Sequence, residues 1–437
     1  MAVRVKGRHA AVMSVAMVGT LALAACGGGG GGGSTGGGSS AGAGGGGGAA
    51  AASRGPITYV QGKDNSGIVQ PIVQMWNKAH PTEKATLKEQ SDQADQQHDD
   101  LVQHFQSKDP SYDIVSVDVV WTAEFAAKGW LTPLVGPLAL DTSKMLPSVV
   151  KTATYVNKLY AGPISTDAGI LYYRKDLVKT PPKTYDELWK DCAIAKKNNM
   201  GCFAGQYAKY EGLTVNAAEA INSFGGTILG TDGKPTVTSA QAKAGLQNLA
   251  DHYKNGDIPK EAITYQEEQG RQAFEGGKLL FLRNWPYVYS LATTDGSSKV
   301  KKSLAMTALP GQNGPGASSL GGHNMGISMF SKHKATALDF MKFFESEEIQ
   351  KLSANKASSA PVLSSLYADA ALNKKLPYLA VLKKSLDTAI PRPVSPFYPA
   401  VTQAIQDNAY PAIKGAQPVD KALASMQAAL TSASAGS

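Results

Sequence analysis

The residues of this sequence best placed to do chemistry are a strand-end carboxylate and a pair of cysteines. Asp118 closes the run Ile114, Val115, Ser116, Val117, a β-branched stretch that reads as a buried strand continuing into Val119 and Val120. An ionised carboxylate accepts hydrogen bonds from two neighbouring hydroxyls, and such charge-assisted bonds are the strong ones. The same side chain could instead cap a helix starting near Trp121. Cys192 and Cys202 are separated by nine residues and fit either a disulfide or two buried free thiols. No histidine stands near them in sequence, which argues against a metal site. The chain has no G-x-S-x-G, H-E-x-x-H or Walker A motif, and nothing in it calls for a cofactor.

The elements that must position these groups alternate between strand and helix. Ile57 to Val60 reads as a first strand; Val69, Ile72, Val73 and Trp76 follow helical spacing up to His80-Pro81. Ala85 to Glu89 reads as a second strand, and Leu101, Val102 and Phe105 mark a second helix. That order predicts an α/β fold with mainly parallel sheets and right-handed crossovers, with ligands beyond the carboxyl ends of the strands. From Pro56 onward the body has about 380 residues, more than the ~250–300 of a single core, so two lobes are expected.

The N-terminus is of a different kind. Arg4, Lys6 and Arg8 precede an uncharged stretch from Ala10 to Ala25, the layout of a secretory signal and shorter than the ~20 apolar residues of a comfortable membrane span. The stretch ends in Leu23, Ala24, Ala25 and Cys26, which resembles the lipobox of bacterial lipoproteins. The resemblance implies lipidation of Cys26, cleavage before it, and an extracytoplasmic, membrane-anchored protein. Residues 27–55 are almost purely Gly, Ser and Ala, a tether whose r.m.s. reach is roughly 30 Å. In the oxidising compartment that a secretory signal implies, a disulfide is the expected state of Cys192 and Cys202. Without the three signal cations, forty basic residues face thirty-five acidic ones, and the lysine pairs are scattered among acids. These are solvated faces rather than a nucleic-acid stripe.

Six segments in order give the body a family resemblance: DIVSVDVVWTAEFAAKGWLTPL at 113–134, STDAGILYYRKDL at 165–177, QYAKYEGL at 206–213, FLRNWPY at 281–287, LGGHNMGIS at 320–328 and PRPVSPFYP at 391–399. Together they are similar to the sugar-binding lipoproteins of ABC importers, nearest to the trehalose/maltose-binding type. The resemblance implies a two-lobed periplasmic-binding-protein fold of type II that closes by a hinge. It places crossovers near 164–169, 282–285 and 322–328, lobe 1 at 56–165 plus 284–323, and lobe 2 at 166–283 plus 324–437. It also implies a monomer that delivers a sugar to permease subunits with an associated ATPase.

Carried onto this chain, the ligand set is Asp118, Asp167, Trp285, Gly322, His323 and Arg392, with Asp64, Asn65, Tyr210 and Glu211 as further candidates. The two aspartates would accept sugar hydroxyls, Arg392 would donate to ring oxygens, and Trp285 would lie against the apolar face of a pyranose. Trp285 could equally be a core residue, Arg392 a structural ion pair, and Glu211 an inter-lobe contact. Two positions depart from the subgroup: His323 stands where tryptophan is usual and Ser165 where tyrosine is usual. A histidine aimed into the pocket by a Gly321-Gly322 turn predicts affinity that varies between pH 5.5 and 7.5. The competing class is a surface-anchored glycoside hydrolase, which needs two carboxyl groups ~5–10 Å apart; an adhesive protein needs no buried polar set.

Overall fold

The computed structural model describes residues 53–434. The signal, Cys26 and nearly all of the tether lie outside them. The strands are β1 Ile57–Gln61, β2 Ala85–Glu89, β3 Ile114–Asp118, β4 Thr154–Tyr155, β5 Lys158–Leu159, β6 Ala161–Ala168, β7 Ile170–Arg174, β8 Gly201–Ala204, β9 Leu279–Asn284, β10 Leu304–Thr307, β11 Ser319–Ile327 and β12 Ile390–Pro391. One sheet has the order β12-β11-β3-β1-β2, with β6 on the other side of β11; a second has the order β10-β7-β9-β8.

The first sheet starts as the alternation predicts. Helix Val69–Ala79 buries Ile72, Val73 and Trp76 and ends where Pro81 disfavours helical backbone at His80. Asn77 then holds both the N–H and the carbonyl of Ala85, which fixes the start of β2. β1 pairs in parallel with β2 and with β3. Beneath lie Tyr59, Trp76 and Phe340, with ring centroids 5.5 Å (Tyr59–Phe340) and 5.4 Å (Trp76–Phe340) apart and edge-on, an arrangement favoured by the ring quadrupoles.

Elsewhere the parallel expectation gives way. β11 runs antiparallel to both β3 and β6, and in the second sheet only β8 and β9 are parallel. β10 completes the second sheet by pairing with β7. The whole of β11 lies between β3 and β6, so 324–327 belongs to the first sheet. The chain passes from the first sheet to the second at Gly169, between β6 and β7. It returns through 308–318 into β11, and 392–397 joins β12 to helix Tyr398–Ile413.

Two of these crossings meet one buried ion pair. Arg283 of β9 and Glu219 of helix Glu211–Ser223 are 2 % and 4 % exposed and joined by two hydrogen bonds, Nε–Oε2 2.7 Å and Nη2–Oε1 2.5 Å. Glu219 also accepts from the Ser319 N–H and the Ser318 hydroxyl, and Ser318 Oγ in turn accepts from the Gly169 N–H. A Cβ on Gly169 would lie 2.8 Å from the Glu219 carboxylate, so only glycine lets the chain pass this close.

A disulfide joins Cys192, in helix Tyr185–Lys197, to Cys202 in β8, with Cα atoms 5.1 Å apart. It ties the last turns of that helix to the second sheet. Replacing both cysteines by serine is expected to lower unfolding free energy by about 2–3 kcal/mol, by the loop-entropy relation, and urea unfolding of the mature body measures it.

Candidate functional site

The register of β11 assembles one wall of a cavity. His323 lies opposite Asp118 on one side and Ser165 on the other, and Gly321 lies opposite Asp167. Directly opposed residues share a face, so Asp118, His323, Ser165 and Asp167 form one polar patch across three strands. Gly321 and Gly322 are strand residues here rather than a turn. Gly322 has φ +115°, and a Cβ on it would sit 2.4 Å from the Ser165 carbonyl oxygen. On Gly321 a Cβ would come within 3.2 Å of the Trp285 ring. Glycine at both places lets β6 and the indole come close to β11.

The second sheet supplies the opposite wall. Trp285 follows β9, half-buried, with the Arg283 guanidinium 4.0 Å from its ring centroid. Tyr210 and Glu211 begin one helix, and Glu267 and Glu268 begin the helix Glu267–Glu275. The cavity between these walls is about 370 Å³ and is lined from both sheets. All ten residues expected at a ligand site line it: Asp64, Asn65, Asp118, Asp167, Tyr210, Glu211, Trp285, Gly322, His323 and Arg392.

Lining is not the same as being free to bind. Arg392 donates through Nη1 to Glu211 (2.5 Å) and through Nη2 to Asp118 (2.8 Å), the structural ion pairing weighed against a ligand role. Burial works against its charge, and Asp118, Tyr398 and Glu211 together raise its pKa well above the ordinary value. Burial likewise raises the Glu211 carboxyl, with Arg392 opposing. Asp118 also accepts from the Val120 N–H at 3.1 Å, whereas the helix Thr122–Ala127 has no side-chain cap. Asp64 is taken up locally: its carboxylate accepts from Ser66 and from the Val69 N–H at the start of a helix. The Tyr210 hydroxyl donates a hydrogen bond to Glu267 Oε2 at 2.7 Å. Trp285 is not a core residue.

Asp167 is different: among the described residues its carboxylate has no hydrogen-bond partner. Burial first, then the Asp118 charge, push its pKa up to about 8. The His323 ring is pushed below its ordinary value, chiefly by burial.

Residues 59–351 match the bacterial extracellular solute-binding proteins. A probable ABC transporter-binding protein of Deinococcus radiodurans is 34% identical over 67% of this chain and 72% of its own length. The chain belongs to this family. Its fold is that of maltose-bound MalE3 of T. maritima, with TM-score 0.82 and 31% identity over 86% of this chain and 98% of that one. A mannitol-binding protein of Pseudomonas aeruginosa is 26% identical over 64% of this chain and 67% of its own length. These family members and structural neighbours are binding proteins.

Sequence reasoning missed Glu267, Glu268, Tyr287 and Trp121 as cavity residues. The signal for the first two was present, since paired acids at a helix start point toward whatever that end faces.

A carboxyl raised in the fold costs stability as the unfolded chain ionises. Wild type should therefore lose stability relative to Asp167→Asn as pH rises from about 4 to about 8, by at most about 1.4 kcal/mol per pH unit. The difference should level off above pH 8. Melting temperatures of both solute-free proteins across that range test it.

Proposed function

We propose that this solute-binding protein captures a sugar, a disaccharide or short oligosaccharide, between its lobes and delivers it to an ABC permease with its ATPase. The observation that carries the reading is the unpartnered Asp167 carboxylate beside the half-buried Trp285 indole, in a cavity sized for a small solute. The carboxylate accepts sugar hydroxyls, the indole covers an apolar sugar face, and neutral His323 offers one donor and one acceptor. Gly322 lets strand backbone approach the solute. The maltose named for MalE3, the mannitol named for the Pseudomonas protein, and the galactooligosaccharide-binding protein of Bacillus subtilis support a polyhydroxylated solute.

A glycoside hydrolase would draw on Asp167 as the acid and Asp118 as the base or nucleophile. Against it, Asp118 is already bound to Arg392 and to backbone. A thermal-shift series with maltose, trehalose and sucrose separates the readings. A bound sugar at 100 times its Kd should stabilise the fold by about 2.7 kcal/mol without turnover. Asp167→Ala should weaken that binding by about 1.5–3 kcal/mol. Sugar cleavage, or no shift with any sugar, sinks the proposal.

The protein acts, on this reading, as a monomer on the outer face of the cell membrane, held by lipid on Cys26. Among the described residues no helix is long and apolar enough to cross a membrane. Two acyl chains give stable anchoring where one is marginal. Cys26→Ser should abolish palmitate labelling and release the protein from the membrane fraction; retained labelling refutes the anchor.

A further inference from the structure

Glu211, in the second lobe, is held from the first lobe and from the segment that joins β12 to helix Tyr398–Ile413. Its N–H donates to Asp95 Oδ1 at 3.1 Å, and Asp95 belongs to the first turn of helix Ala94–Gln106 in the first lobe. Its carboxylate accepts from Arg392, which reaches on to Asp118 at the end of β3. Tyr398 and Thr402, from its own lobe, hold the same carboxylate at 2.6 Å each. Glu211 opens a 13-residue helix whose N-cap, Tyr210, makes no side-chain cap bond. The partial positive charge of that helix end is thus met by a carboxylate from the other lobe.

We propose that Asp95 and the Asp118–Arg392–Glu211 bridge form a latch that keeps the lobes shut, with Asp95 governing how long a solute is retained and not which solute is recognised. Binding proteins of this kind close by a hinge, and parting the lobes would leave the Glu211 N–H without Asp95. Arg392 would also have to release Asp118 or Glu211. Asp95 does not line the cavity, so it acts without touching solute. A contact made only after closure slows opening and leaves encounter alone. The latch rests on the solute-capturing reading above.

The test is stopped-flow binding of maltose, trehalose or sucrose, whichever the shift series selects, together with energy transfer between dyes on the two lobes. Asp95→Ala should raise the off-rate about five- to ten-fold, the size of a lost helix cap, with the on-rate unchanged. Asp95→Asn, which keeps an acceptor oxygen without the charge, should fall between. The closed fraction of the solute-free protein should drop in the same order. An unchanged off-rate and closed fraction overturn the latch, as does a fall in on-rate or in melting temperature alone. If wild type binds none of the sugars, the functional reading fails, whereas the energy-transfer comparison still decides the latch.

Discussion

The buried pair of Glu219 and Arg283 is the constraint on which the arrangement of both lobes depends. Two charges removed from water are costly unless every donor and acceptor is met. Here they are met by the crossing segments themselves: Ser318 and Ser319 on the carboxylate, and Gln206 on the guanidinium at 2.9 Å. The chain cannot pass between lobes at Gly169 or at 318–319 along another path without leaving a buried charge short of a partner. Arg283 also backs the indole of Trp285. The same side chain therefore fixes where the lobes are joined and where a solute would meet an aromatic face.

This coupling explains which parts of the fold were legible in the sequence. Strands and helices between residues 57 and 120 announce themselves locally, through β-branched runs, helical spacing and a proline stop, and they stand where expected except that β3 ends at Asp118, short of Val119 and Val120. Crossover positions do not, because they depend on pairings between distant segments. Residues 282–284 were expected in a crossing but lie in strand β9, held in the second sheet by β7 and β8. Gly321 and Gly322 were expected in a turn but lie in strand β11, where β6 passes so close that Gly322 has no room for a side chain. The place of β10 is likewise a matter of edge pairing with β7, on which its own four residues are silent.

The site was legible as a set and not by role. Its members are brought together largely by strand register, and the residues the resemblance named all line the cavity. Their partners decide what each can do, and partners are a property of three dimensions. For Arg392 the sequence left a solute donor and a structural ion pair open, and Glu211 and Asp118 take its two terminal nitrogens. Asp64 looked free until its carboxylate was seen closing the turn before the first helix.

What remains in the cavity after these pairings is a simple electrostatic situation. One guanidinium faces two carboxylates, and it holds both at short range. Asp167 stands outside that triad, feels the negative charge of Asp118, and has no cation or donor of its own at hydrogen-bond distance among the described residues. Burial first, and then the Asp118 charge, make it take up a proton more readily than an ordinary aspartate. An incoming hydroxyl that donates to it supplies the missing partner and favours the ionised form.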